Sequence, residues 1–226
     1  MLEEDIRCVL FDLDGTLADT APDLADALNR TRIDEGLDAL PLERLRPLIS
    51  QGVRGLLRVS HGLHPQDEGY ESLFKRVLQH YAQRLCVQTR LFDGIPELLD
   101  HLEAHSIRWG IVTNKHSRFT QPLVSALGLN VRAASVVSGD TTPRAKPAPD
   151  PLLLAAQQCG IAPGQCIYLG DDERDIVAAK AAGMRSMAVR WGYLGEDKPI
   201  EAWGADFLIN HPAEVLEYLG PQRRMN

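Results

Sequence analysis

The chain has 226 residues, enough for one large α/β domain or for a domain carrying a smaller insert. Its 24 Lys and Arg against 31 Asp and Glu leave a net charge of −7, which excludes a general binder of nucleic acid or anionic membrane, since either needs a concentrated basic surface. With 44% hydrophobic and 24% charged residues, wholesale disorder is excluded as well.

The first apolar run, Ile6–Leu13, reads as a buried strand. From Gly15 to about Leu91 the pattern is helical, with no convincing strand. Thr20-Ala-Pro-Asp23 has the residues of a capping box with proline in the first turn, predicting a helix through about Ile33. Pro41–Ile49 is a second, short helix. Tyr70, Leu73, Phe74, Val77, Leu78, Tyr81 and Leu85 then share one helix face. Beyond them the runs Ile107–Thr113, Ala134–Ser138, Cys166–Gly170, Met184–Val189 and Phe207–Ile209 read as strands. They alternate with the helical patterns Glu97–Leu102, Phe119–Leu127, Pro151–Cys159 and Ile176–Ala182, three of which end at Gly128, Gly160 and Gly183. That alternation predicts an α/β fold with a doubly wound parallel sheet. About seventy helical residues between the first two strands exceed what a crossover needs. Residues 18–90 therefore read as a helical cap inserted into a core of 1–17 and 91–226, with hinges near Leu17–Thr20 and Cys86–Phe92. The tail after Pro221 is expected to be loose.

No apolar run approaches the roughly 18 residues of a membrane helix. The Met-Leu-Glu-Glu-Asp start is acidic where a secretion signal would be basic, so the cytoplasm is the expected location. Cys8, Cys86, Cys159 and Cys166 are scattered without Cys-x-x-Cys spacing, and no structural disulfide is expected.

The sharpest local signal is Cys8-Val-Leu-Phe-Asp12-Leu-Asp14-Gly15-Thr16. A buried strand leads into two carboxylates at i and i+2, which extended backbone points to the same side. They would sit at the carboxyl end of a parallel strand, where open α/β sheets bind ligands. The alternative for this segment alone is an Asp-Gly turn with solvated acids. Other strand ends add to it: Val112-Thr113-Asn114-Lys115 supplies a hydroxyl, an amide and an amine. Gly170-Asp171-Asp172-Glu173-Arg174-Asp175 supplies acids, Asp171 and Asp175 facing one side if a helix begins there. Arg144-Ala-Lys146-Pro147-Ala-Pro149 presents a single amine on a proline-held loop. If the sheet is parallel, Asp12, Asp14, Asp171 and Asp175 converge and repel one another unless a cation lies among them. Oxygen donors without His or Cys favour Mg²⁺, whose shell water and a phosphate complete. Lys146 and Thr113 then suit the phosphate, and the assembly suits phosphoryl transfer to a carboxylate.

Asp12-x-Asp14-Gly-Thr, Thr113, Lys146 and Gly170-Asp171-x-x-x-Asp175, in this order, resemble the phosphatases of the haloacid dehalogenase superfamily. The early helical insert resembles that family's first type of cap. The resemblance implies that Asp12 is the nucleophile of an aspartyl-phosphate and that Asp14 is first general acid, then base. It implies that Asp12, the Asp14 carbonyl and Asp171 hold Mg²⁺, while Thr113, Asn114 and Lys146 bind phosphoryl oxygens. Gly15 and Thr16 support the turn, and Asp175 orients Lys146 or a metal-bound water. A small phosphorylated metabolite is the implied partner, with a monomer or homodimer as the assembly. The segments around Thr113, Lys146 and Asp171 resemble the phosphoglycolate phosphatase group. Leu91-Phe-Asp-Gly-Ile, Trp109-Gly-Ile-Val-Thr-Asn-Lys, Arg190-Trp-Gly-Tyr and Trp203-Gly-Ala-Asp also resemble N-acetylmuramic acid 6-phosphate phosphatases of cell-wall recycling. His116 departs from both, standing where proline is frequent. A phosphosugar mutase with the same cap type, or a non-catalytic phosphometabolite sensor, are the further alternatives.

Substrate choice falls to the cap. Ser50-Gln-Gly52-Val-Arg54-Gly is a glycine-containing helix start whose Gly52 amides or Arg54 read the rest of the substrate, or else an ordinary turn with a solvated arginine. Lys115 and Arg118 either line the mouth of the site or are solvated. His61, His64, His80 and His211 are expected at the surface without partners. His101 and His105 lack the Glu position of a zinc helix, and Trp109 and Trp191 are expected to pack.

Overall fold

The computed structural model describes residues 5–195 and 198–219, so the tail after Pro221 and the first four residues lie outside the described residues. Strand β1 (Cys8–Phe11) is wholly buried and leads through a turn into the two-residue β2 (Ala18–Asp19). A helical stretch follows: α1 (Ala21–Asp34), α2 (Leu42–Leu45), a single 3₁₀ segment over Arg46–Gln51, α3 (Gly52–His61) and α4 (Tyr70–Gln83). The chain returns through β3 (Arg90–Leu91), antiparallel to β2 with Ala18 opposite Leu91. Then come α5 (Ile95–Ala104), β4 (Arg108–Val112), α6 (Ser117–Ala126), β5 (Ser135–Val137) and α7 (Asp150–Cys159). β6 (Cys166–Gly170), α8 (Glu173–Ala181), β7 (Arg185–Val189) and β8 (Phe207–Ile209) complete the fold.

Six strands form one parallel sheet in the order β5-β4-β1-β6-β7-β8, so β1 lies between β4 and β6, with Cys8 opposite both Arg108 and Cys166. Helices cover both faces, which is why these strands read as unbroken apolar runs. One face packs Val9, Phe11, Trp109 and Ile167 against α5 and α6; the Phe11 and Trp109 rings meet edge-on at 6.4 Å. The other packs Cys8, Leu10, Cys166 and Tyr168 against α7 and α8, and Cys8, Cys159 and Cys166 are free thiols there. The helices of 21–83 have an apolar core of their own around Leu28, Leu45, Leu56, Val77 and Tyr81, reaching Phe119 and Tyr193 on the sheet side.

The predicted strands and helices of the sheet layer are all present. The Thr20–Asp23 capping box is not. The Thr20 hydroxyl donates to Asp14 Oδ1 at 2.5 Å, and the amides of Thr20, just before α1, and of Ala21, its first residue, donate instead to the Tyr193 hydroxyl at 2.6 and 2.9 Å. The buried Asp23 carboxylate accepts from the amides of Val87, Gln88 and Thr89 and from the Thr89 hydroxyl. Three histidines expected to lack partners have them: His61 Nδ1 meets the Ser60 hydroxyl at 2.7 Å, His80 reaches Asp34 at 2.8 Å, and His211 accepts from the Ala213 amide at a helical start. His101 and His105 stack, 4.0 Å between ring centroids, and join no metal-ligand cluster among the described residues.

Candidate active site

Asp12, Thr113 and Asp171 are each the first residue after β1, β4 and β6, three neighbours in the sheet, so the parallel topology alone brings them to one edge. Helix α8 begins two residues beyond Asp171. Asp172 caps it, accepting from the Arg174 amide, while Asp175 returns a bond to the Asp172 amide. That reciprocal box, with α8 winding one turn from Asp171, sets Asp175 over the strand end.

Lys146 is 5% exposed, and its ammonium meets Asp12 Oδ1 and Asp175 Oδ1, both at 2.8 Å, the Val112 carbonyl at 3.0 Å and the Tyr168 hydroxyl at 2.7 Å. Burial alone would lower its pKa; the two carboxylates outweigh that and hold it above the ordinary lysine value. Asn114 fixes the loop that carries Lys146: its amide nitrogen donates to the Lys146 carbonyl and its oxygen accepts from the Lys146 amide. Both polar ends of the Asn114 side chain are thereby engaged with main chain. Thr113 is buried and lines the cavity, its hydroxyl accepting from the Lys115 amide.

Asp171 is buried, accepting from the Thr16 hydroxyl at 3.1 Å and the Tyr193 amide at 2.8 Å. Only glycine fits beside it: a Cβ on Gly15, whose φ is +85°, would stand 2.1 Å from Asp171 Oδ2, and one on Gly192 would stand 2.2 Å from its Cβ. Asp12, Asp171 and Asp175 offer oxygens that all lie within 4.8 Å of one another. Burial pushes the Asp12 carboxyl up to about 7, opposed by Lys146 and reinforced by Asp175 and Asp14; burial also raises Asp171, reinforced by Asp12 and Asp175. Asp12 Oδ1, although 2.8 Å from Lys146, accepts no well-directed hydrogen bond. Crowded buried carboxylates with an oxygen to spare fit a hard divalent cation, which would relieve both the repulsion and the lost hydration.

The Asp14 carboxylate lies outside that triplet. Its Oδ1 takes the Lys115 ammonium at 2.7 Å as well as the Thr20 hydroxyl. Lys115 is therefore inside the site, its ammonium 4.9 Å from the centre of the Tyr81 ring on α4. The helical stretch roofs the sheet edge and encloses a cavity of about 420 Å³. Asp12, Asp14, Thr113, Lys115 and Lys146 line its floor; Gly52, Arg54, Phe74, Leu78 and Tyr81 line its roof. Two contacts draw the layers together: Arg174 donates to the Ser50 carbonyl at 2.6 Å, and the Ser50 hydroxyl approaches Asp171 Oδ2 at 3.4 Å.

Tyr168, Tyr193, Thr20 and Arg174 escaped the sequence reading. Tyr168 had a signal, an inward position on the strand before Asp171. Tyr193 stands in a noted segment, Arg190-Trp-Gly-Tyr, but nothing local in the sequence tells that its hydroxyl reaches the start of α1.

Residues 9–189 match the sequence profile of the family described as haloacid dehalogenase-like hydrolase. A curated phosphoglycolate phosphatase of Xanthomonas campestris pv. campestris is 45% identical over 212 residues, 93% of this chain and 95% of that one. An N-acetylmuramic acid 6-phosphate phosphatase of Pseudomonas aeruginosa is 41% identical over 215 residues, 95% of each. Among solved structures, a predicted phosphoglycolate phosphatase from Haemophilus somnus superposes with a TM-score of 0.81 at 26% identity, covering 94% of this chain and 97% of the other. The chain belongs to the haloacid dehalogenase-like hydrolases.

Proposed function

We propose that this protein is a cytoplasmic Mg²⁺-dependent phosphatase that hydrolyses a small phosphomonoester, with phosphoglycolate as the leading substrate. The observation that carries this reading is Asp12: a largely buried carboxylate at the end of the central strand, facing the cavity, whose Oδ1 accepts no well-directed hydrogen bond and lies 2.8 Å from the Lys146 ammonium. An Asp12 oxygen attacks phosphorus and the ester P–O bond breaks, leaving an aspartyl-phosphate. Asp14 gives the leaving oxygen a proton, then takes one from the water that attacks phosphorus, and the bond to Asp12 breaks with release of phosphate. Lys146 and the Thr113 hydroxyl hold the phosphoryl oxygens where charge builds. Asn114 positions Lys146 through its main chain, and Asp175 keeps the Lys146 amine charged and aimed. Asp12, Asp171 and the Asp14 main-chain oxygen would hold Mg²⁺, with Gly15 and Thr16 shaping the turn around Asp171. When bound, the ion neutralises charge between carboxylate and phosphate.

A second reading, N-acetylmuramic acid 6-phosphate as substrate, is favoured by the cavity, whose 420 Å³ and apolar Phe74, Leu78 and Phe119 exceed what a two-carbon acid fills. Phosphate release from both compounds, with and without Mg²⁺ and with Asp12→Asn as blank, tests the proposal. Turnover at least about a hundredfold better for one compound identifies the substrate. Retention of more than a few per cent of activity by Asp12→Asn removes the nucleophile assignment. No turnover of either, or of an aryl phosphate, leaves a non-catalytic sensor.

A further inference from the structure

The cations of the cavity are unequally engaged. Lys146 lies against Asp12 and Asp175, Lys115 against Asp14, and Arg174 against Asp172. Arg54 on α3 and Arg118 on α6 line the same cavity, yet among the described residues neither guanidinium has an acceptor. Arg118 is steadied at the rim by Phe119, whose ring centre is 4.5 Å from the guanidinium carbon. On the roof, the Tyr81 hydroxyl is buried, its residue 1% exposed, and accepts no well-directed hydrogen bond, although the Lys115 ammonium lies beside it. Folded proteins leave few buried polar atoms unpaired, and one that lines a cavity points to a ligand.

We propose that the substrate carries a carboxylate besides its phosphate, and that Arg118, Arg54 and the Tyr81 hydroxyl read it. This rests on the phosphomonoesterase reading and narrows it to phosphorylated carboxylic acids. Lys146 and Lys115 are each held by carboxylates of the floor, so the two unmatched guanidinium groups are the cations left to face the bound molecule. A guanidinium offers a carboxylate two parallel N–H donors, and a tyrosine hydroxyl adds a third donor from the roof. The two candidate substrates differ greatly in size but are both carboxylic acids, so one carboxylate subsite serves either. Because one arginine comes from each layer, a bound carboxylate would also tie the roof to the floor.

The test compares pairs in which one member lacks the carboxylate: 2-phosphoglycolate against 2-hydroxyethyl phosphate, where a hydroxymethyl group replaces it, and N-acetylmuramic acid 6-phosphate against N-acetylglucosamine 6-phosphate, which lacks the whole lactyl ether. In at least one pair the acid is expected to have a kcat/KM about a hundredfold higher, equivalent to roughly 2.7 kcal/mol. Arg118→Ala, at an exposed position, shrinks that preference at least about tenfold, mainly through KM, and Tyr81→Phe shrinks it several-fold. Equal rates within both pairs, or a preference unchanged in both Arg118→Ala and Arg54→Ala, overturns the proposal. Calorimetric binding of the four compounds to Asp12→Asn separates the two readings. Preferential binding of acids without wild-type turnover overturns the phosphatase and keeps the carboxylate site; turnover indifferent to the carboxylate does the reverse.

Discussion

Asp12 is held in a place that suits a carboxylate only when positive charge surrounds it. Burial pushes its pKa up to about 7 even with Lys146 at 2.8 Å. A raised acid binds its proton more tightly folded than unfolded, so its contribution to stability is full below the unfolded value near 4 and is lost as pH rises through about 7. Asparagine cannot ionise. In metal-free protein the Asp12→Asn variant is therefore expected to gain on wild type from about pH 4 upward, levelling above about pH 7 at roughly 4 kcal/mol. Urea unfolding at successive pH values, in the presence of a chelator, measures this; a gap that does not change with pH would contradict it. Added divalent cation should close the gap, since it supplies the charge that Asp12 lacks. At this scale the acids, Thr113 and Lys146 were legible because each follows an apolar strand run or a proline-held loop. The partners that tune them were not: Tyr168 and Tyr193 reach the site across 22 and 173 positions of chain, as their bonds to Lys146 and Thr20 show, and no spacing rule spans that.

The elements show how the same residue types serve two ends. Thr20-x-x-Asp23 fits a helix cap, but Tyr193 takes the capping role from across the molecule, which frees the Thr20 hydroxyl for Asp14 and Asp23 for the returning chain. Period and composition made α1, α4 and the sheet strands readable. β2 and β3 were beyond reach because two residues carry no period. The Asp23 carboxylate satisfies three consecutive amides and a hydroxyl where the helical stretch rejoins the sheet layer. Asp23→Ala strands those donors and is expected to cost about 3 kcal/mol in chemical unfolding, while Asp23→Asn, which keeps an acceptor, costs clearly less. Equal losses would mean that the carboxylate's charge, and not its acceptor geometry, matters there.

At the scale of the molecule, alternating strands and helices sufficed to foresee a parallel sheet, and the seventy-residue helical interval to foresee a separate layer. How closely that layer sits on the sheet was not legible, since it is decided by contacts such as Arg174 with the Ser50 carbonyl, 124 positions away. Removing this clasp with Arg174→Ala should let the roof stand open more often. The expected readings are a larger radius of gyration by solution scattering and a KM raised about tenfold, with Arg174→Lys recovering part of both. The placing of β1 has a consequence for how the protein forms. Its neighbours in the sheet, β4 and β6, arrive late in the chain, with Cys8 opposite Arg108 and Cys166. The helices of 21–83 find most of their partners nearby in sequence. Loop-closure entropy favours such local contacts early and penalises distant parallel pairing. During refolding the roof should thus assemble before its floor, and the strand that delivers Asp12 should be among the last to gain amide protection.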